Sequence, residues 1–97
     1  MTTALERLLL VHGAAPWPES VERGREYGQI DPVMADADIF GAALGARDGV
    51  LSSAHRELVA STAARLGESM AHFPVDARPY FQRLVKIALL VCEVDAR

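Results

Sequence analysis

The most apolar stretch of the chain lies near its C-terminal end, between residues 80 and 94. Its first half carries apolar residues on one helical face, and residues 87–92 are six apolar residues in a row. A helix that is apolar all round must be covered all round, by its own domain or by another copy of the chain. We therefore predict that a helix from Tyr80 to Val94 forms the core, with Arg83 and Lys86 as its polar edge.

A second long helix is predicted to start at Asp31-Pro32, because an acidic N-cap followed by proline at the first helical position is typical of a helix start. It is expected to run to about Leu44 and to end at Gly45. Its predicted buried face consists of residues at helical spacing, namely Val33, Ala37, Phe40 and Leu44. On this interpretation Ile39 points outward.

A third long helix is predicted from Ala54 to Ala71, with Ser52 or Ser53 as its cap. Its buried face repeats at intervals of three and four residues and consists of Val59, Ala63, Leu66, Met70 and Phe73. His55 falls on this face and His72 on the polar side. The two histidines lie roughly 25 Å apart on one helix, so they cannot share a metal ion within one chain.

The N-terminal residues predict a shorter helix, capped by Thr2 or Thr3 and stopped by Gly13. His12 lies at the edge of its buried stripe, and we interpret it as a packing or capping residue rather than a ligand or an acid–base group.

Residues 14–31 are the least regular part of the chain, with a short helix expected from Pro18 to Tyr27. This segment either covers one end of the core or forms a binding surface, since tryptophan, tyrosine and arginine are enriched at interaction hot spots. The residues of that surface would be Trp17, Tyr27, Arg23 and Arg25.

The composition favours a single all-α domain covering residues 1–97. Half of the 97 residues (51%) are hydrophobic but only 6% are aromatic, and alanine is abundant, which suits closely packed helices. We predict a small bundle of three long helices, a short N-terminal helix and the irregular Trp/Pro segment.

The formal charge is −3 and no basic block occurs, which disfavours nucleic-acid binding. The apolar runs are too short for a signal peptide or a membrane span, so we expect no membrane association and a soluble cytoplasmic protein.

Two aspartates on the second helix are the most interesting candidates for chemistry. Asp36 and Asp38 lie about 160° apart around the helix axis, so they cannot form a paired carboxylate site. Asp36 is close to the predicted core, where a carboxylate needs a partner, and Arg78 or Arg83 of the last helix is the predicted one. The candidate binding residues are thus Trp17, Tyr27, Asp36, Asp38, Arg78 and Arg83.

The segment Ala46-Arg47-Asp48-Gly49-Val50-Leu51 and the following Arg56-Glu57-Leu58 resemble the Asp-Gly turn and acidic helix of tellurite-resistance TerB-like domains. The resemblance implies a helical domain with acidic metal-binding positions, first Asp48 and second Glu57. The sequence departs from that pattern because the acid after the turn stands two places late, with His55 in the expected position.

No established catalytic signature occurs in the sequence, and its single cysteine, Cys92, lies in the most apolar segment. We predict a non-enzymatic protein–protein interaction module without a cofactor, which binds either another protein or a second copy of itself. Self-association is expected to give a homodimer joined through the 80–94 helix. The alternative is a metal- or anion-binding helical domain.

Overall fold

The computed structural model describes residues 3–49 and 51–95 of the chain, and they fold into four α-helices. In chain order these are α1 (Ala4–Ala14), α2 (Pro32–Arg47), α3 (Ser53–Ser69) and α4 (Arg78–Asp95). Two single-turn 3-10 helices, Met70–His72 and Val75–Ala77, connect α3 to α4. The predicted all-α bundle with a short first helix and three longer ones is confirmed.

Three of the helices begin where side-chain caps were predicted. Each cap accepts a backbone N–H that has no carbonyl partner in the first turn of its helix. The pairs are Thr3 with Glu6 at 3.1 Å, Asp31 with Val33 at 2.9 Å, and Ser52 with His55 at 3.1 Å. The alternative cap Thr2 lies outside the described residues.

Two predicted helix ends are wrong. The first helix continues through Gly13 to Ala14, and the second continues through Gly45 to Arg47. Neither glycine has a positive φ, so neither interrupts the helical backbone. α2 ends at Arg47, and its C-cap residue Asp48 precedes Gly49 at φ 79°.

The short helix predicted from Pro18 to Tyr27 does not form. Gly24 adopts φ 87°, which is incompatible with a right-handed helix, and the segment instead consists of turns. An isolated bridge joins Tyr27 to Ile30, and the turn between them requires Gly28 at φ 65°. This turn contacts the end of α3, where the N–H of Gln29 donates to Ser69 Oγ at 3.3 Å.

The predicted buried face of α2 is also wrong. Ile39 is fully buried together with Ala35 and Ala43, whereas Ala37 is exposed. Val33, Phe40 and Leu44 are only partly buried. The physical reason is that α2 packs more extensively on α3 and α4 than on α1. Small alanines on either side of one isoleucine let those two helices approach closely, and the larger side chains lie toward the flank.

The central position predicted for the last helix is confirmed. α4 packs against α1, α2 and α3, and it buries Phe81, Leu84, Ile87, Ala88 and Val91. Its apolar run is not covered on every side, because the side chain of Leu89 remains 63% exposed.

The predicted stripe of α3 is confirmed for Val59, Ala63 and Leu66 and for Phe73 beyond the helix, whereas Met70 is only partly buried. His55 is an exception: it is exposed in the first turn of α3, which extends beyond the buried stripe. Thr62 lies on the buried side of α3, and its hydroxyl has no hydrogen-bond partner among the described residues.

Within residues 3–49 and 51–95, no helix combines the length and the apolarity that crossing a lipid bilayer requires.

Candidate functional site

Four polar side chains meet where α1, α2 and α4 come together. His12 of α1 and Asp36 of α2 are joined by a 2.9 Å contact between Nε2 and Oδ1. From α4, the hydroxyl of Tyr80 donates to Asp36 Oδ2 at 2.7 Å, and Nε of Arg83 donates to His12 Nδ1 at 3.1 Å. We call these four residues the His12–Asp36 network.

The arginine determines where the protons of this network lie. A guanidinium only donates hydrogen bonds, so Nδ1 of His12 must be the acceptor of the Arg83 contact. The single proton of the neutral imidazole is therefore on Nε2, which donates to Asp36. Because Tyr80 donates to the other carboxylate oxygen, both oxygens of Asp36 act as acceptors, as expected for an ionised carboxylate.

The network lies within a group of aromatic rings. The His12 side chain is only 2% exposed, and its ring is 5.1 Å from that of Phe40 and 4.5 Å from that of Tyr80. Trp17 packs edge-on against Tyr80, with the ring centres 5.7 Å apart. The guanidinium of Arg83 lies 5.3 Å above the Tyr80 ring, so the arginine contributes a cation–π contact as well as a hydrogen bond.

These contacts shift the pKa values of two members of the network. Burial raises the pKa of the Asp36 carboxyl. The hydrogen bonds from His12 and Tyr80, together with smaller electrostatic contributions from His12 and Arg23, outweigh burial, and the pKa falls below its usual value. Burial and the hydrogen bond to the Asp36 carboxylate raise the pKa of Tyr80 far above the ordinary tyrosine value. At neutral pH the arrangement therefore keeps a carboxylate beside a neutral phenol.

An Asp–His pair can in principle act as a general base, but this one is poorly placed for that role. The imidazole nitrogen that would face a substrate, Nδ1, is occupied by Arg83. Four grooves of about 220–440 Å³ on the described surface are all lined by other residues. The geometry supports a network that holds three helices together.

The predicted partners of Asp36 need correction. Arg83 reaches the carboxylate only through His12, and the direct partners are His12 and Tyr80. Arg78 lies elsewhere, where it donates to the backbone carbonyls of Phe73 at 3.1 Å and Ala71 at 3.2 Å. Arg78 therefore satisfies carbonyls in and just after the Met70–His72 turn that follows α3. Basic side chains commonly bind the last carbonyls of a helix in this way.

His12 and Tyr80 are the members of the network that the sequence did not assign to Asp36. A signal for His12 existed, since an imidazole on the buried side of a helix needs a polar partner. No comparable signal marked Tyr80, because its hydroxyl meets Asp36 across 44 positions of the chain.

Asp38 lies apart from the network, as its helical position predicts. It lines a groove of about 380 Å³ between α2 and the start of α3. The other residues of that groove include the small Gly41 and Gly45 and the larger His55 and Leu58.

The predicted aromatic pair of the irregular segment is divided between two places. Trp17 is partly buried beside Tyr80, whereas Tyr27 is buried and stacks on Phe73 with ring centres 5.1 Å apart. Each carries one of the predicted arginines over its face, Arg23 at 4.7 Å from Trp17 and Arg25 at 5.3 Å from Tyr27. Their role in binding a partner stays a prediction.

Acidic residues do not assemble into a metal centre in the described part of the chain. Residues 3–49 and 51–95 contain no group of three or more histidine, cysteine, aspartate or glutamate side chains that could hold an ion. Asp48 accepts a hydrogen bond from its neighbour Arg47 at 3.2 Å, and Glu57 is exposed. The metal- or anion-binding alternative stays a prediction that no contact of these residues favours.

No protein-family model matches the chain, and no curated protein or solved structure is significantly similar to it. The resemblance of residues 46–58 to TerB-like domains therefore gains no support from a family match.

An open and mostly apolar surface lies between α1 and α2. A groove of about 440 Å³ runs between the two helices, and its apolar lining is made by Leu9, Leu10, Gly13, Ala14, Phe40 and Leu44. Two charged residues of opposite sign, Glu6 and Arg47, also line it. Leu10 is 71% exposed, and we refer to this surface as the α1–α2 groove.

Proposed function

We propose that the protein is a cytoplasmic, non-enzymatic interaction module that associates with a second copy of itself through the α1–α2 groove. The observation that carries the proposal is that an exposed leucine, Leu10, stands beside an apolar groove on the same face. A surface with both a projecting apolar side chain and an apolar depression is suited to a two-fold interface, in which each copy fills the groove of the other.

The charges on this face favour a second copy as the occupant. Glu6 and Arg47 both line the groove, and neither forms an ion pair with the other. Arg47 donates to the exposed side chain of the adjacent Asp48 at 3.2 Å, and Glu6 accepts a hydrogen bond from Thr3. Under two-fold symmetry, Glu6 of each copy would face Arg47 of the other, so that the interface would contain two identical ion pairs.

Substitution of exposed leucines maps the surface that is used. We expect Leu10→Lys to abolish self-association in sedimentation velocity, because a lysine cannot enter an apolar groove without losing its hydration. Leu89→Lys tests the interface predicted from the sequence, the 80–94 helix, because Leu89 is 63% exposed on α4. Val75→Lys is the control, since Val75 is 73% exposed on a connecting turn away from both surfaces. Loss of association in Leu89→Lys but not in Leu10→Lys would place the interface on α4 instead.

Charge reversal tests the two-fold arrangement itself. Glu6→Arg and Arg47→Glu should each weaken association, because each places like charges opposite one another. The double variant restores opposite charges across a two-fold interface and should recover association. Additive weakening in the double variant would rule out the reciprocal pairing.

A further inference from the structure

The contact with Arg83 holds His12 in one protonation state. Nδ1 of the imidazole accepts the Nε–H of Arg83 at 3.1 Å, and Nε2 is occupied by Asp36 at 2.9 Å. Both ring nitrogens are therefore used. A second proton on the imidazole has only Nδ1 to bind to, and there it would face the N–H of a guanidinium.

We propose that protonation of His12 releases Arg83 from the network and thereby makes the network a pH-responsive element at the junction of α1 and α4. Two N–H donors cannot share one hydrogen bond, so the contact between Nδ1 and Nε must break when Nδ1 acquires a proton. The contact between Nε2 and Asp36 persists and becomes an ion pair.

The groups around His12 determine which contact gives way. α2 contributes the Asp36 carboxylate, and α4 contributes Tyr80 and Arg83. The irregular segment contributes Arg23, whose charge acts on both Asp36 and Tyr80. The positive charges of Arg23 and Arg83 disfavour a protonated His12, whereas the Asp36 carboxylate favours it. Arg83 is the cation that can move away, and it is therefore the one that leaves.

Arg83 is able to leave without disrupting the core. It is only partly buried, and its guanidinium makes one hydrogen bond within the network and one contact with the Tyr80 ring. A long arginine side chain can keep its aliphatic part on the protein while its charged end turns toward water. His12 cannot move in this way, because its side chain is 2% exposed between two rings.

Protonation of His12 changes the charge at the junction of α1 and α4. With a neutral imidazole and phenol, the positive Arg83 and the negative Asp36 cancel. With a protonated imidazole, His12 and Asp36 form the neutral pair, and the guanidinium of Arg83 becomes a surface cation available to an anionic group of another molecule. The network thus couples a proton to the exposure of one arginine.

Nitrogen NMR of the wild-type protein tests the proposal directly across about pH 5–8, the range in which imidazoles commonly titrate. At the upper end we expect the His12 proton on Nε2 and an Arg83 Nε–H signal that is protected from solvent exchange. As the His12 signals report the second proton, the Arg83 signal should lose its protection with the same midpoint. A protected Arg83 Nε–H beside a doubly protonated His12 would overturn the proposal, as would a proton on Nδ1 at the upper end.

A matched pair of variants on α4 provides a second test. Arg83→Met keeps the aliphatic length and removes the donor, whereas Lys86→Met removes an equal charge from an exposed neighbouring position. Arg83→Met should favour protonation of His12 by a factor of about ten relative to wild type, the magnitude expected for a hydrogen bond to a charged group. Lys86→Met should change the protonation of His12 by much less. Equal effects of the two substitutions would show that only net charge matters and would overturn the proposal.

Discussion

The Nε–H of Arg83 donates to Nδ1 of His12 at 3.1 Å, although both side chains belong to residue types that can carry a positive charge. This contact is possible only because the imidazole is neutral on that side, and it fixes the direction of the remaining hydrogen bonds to Asp36. One arginine on α4 therefore determines the proton arrangement of a network that connects three helices.

Removal of the Asp36 carboxylate should destabilise the fold. In Asp36→Ala the N–H of His12 and the hydroxyl of Tyr80 lose their shared acceptor, and we expect a loss of about 2–4 kcal/mol in the free energy of unfolding. Urea denaturation measures this directly. Asp38→Ala is the matched control on the same helix, and its effect should stay within about 0.5 kcal/mol. Equal effects of the two substitutions would contradict the structural role of the network.

The network should also contribute to the acid stability of the protein. The pKa of Asp36 is lowered in the folded protein, because hydrogen bonds from His12 and Tyr80 and the electrostatic contributions of His12 and Arg23 together outweigh the effect of burial. A carboxyl with a lowered folded-state pKa contributes stability that is present above its unfolded pKa and is lost as the pH falls through its folded pKa. The free energy of unfolding should therefore fall with pH in the acid range, and Asp36→Asn should make this dependence shallower.

Thr62 offers a substitution that should stabilise the protein. Its hydroxyl is buried and has no hydrogen-bond partner among the residues that the structure describes. Thr62→Val replaces the hydroxyl with a methyl group of similar shape and should raise the free energy of unfolding by about 1 kcal/mol. Thr62→Ser retains the hydroxyl and should give no such gain. A loss of stability in Thr62→Val would show that the hydroxyl has a partner in solution.

Gly28 should be the least replaceable glycine of the irregular segment. It has φ 65°, and a Cβ at this position would lie 2.7 Å from Ser69 Oγ. Gly24 has φ 87° but open space around it, so Gly24→Ala measures the backbone strain alone. We expect Gly28→Ala to cost about 1–3 kcal/mol more than Gly24→Ala in thermal or urea unfolding. Equal costs would mean that the turn moves away from α3 at little expense.

Local signals in the sequence predicted most of the helical architecture. Asp31-Pro32 and Ser52 mark helix starts because the capping interaction involves only neighbouring residues. The central position of α4 followed from its apolar content. The short helix at residues 18–27 was wrong because Gly24 adopts a positive φ that a helical pattern does not reveal.

Features that depend on two or more helices were harder to predict. The buried face of α2 was assigned to the side of Phe40, whereas the contacts with α3 and α4 bury Ile39 between two alanines. Similarly, a carboxylate near the core indicated that Asp36 needs a partner, but not which one. His12 and Tyr80 lie 24 and 44 positions away in the chain, and only the packing of α1 and α4 brings them to the same carboxylate.

The proposed function depends on self-association, and the molar mass in solution tests self-association most directly. The 97-residue chain has a mass of 10.5 kDa. Light scattering on the wild-type protein at high micromolar concentration should give twice that value, with Leu10→Lys giving the monomer mass under the same conditions. A wild-type protein that remains at the monomer mass would contradict the proposed function.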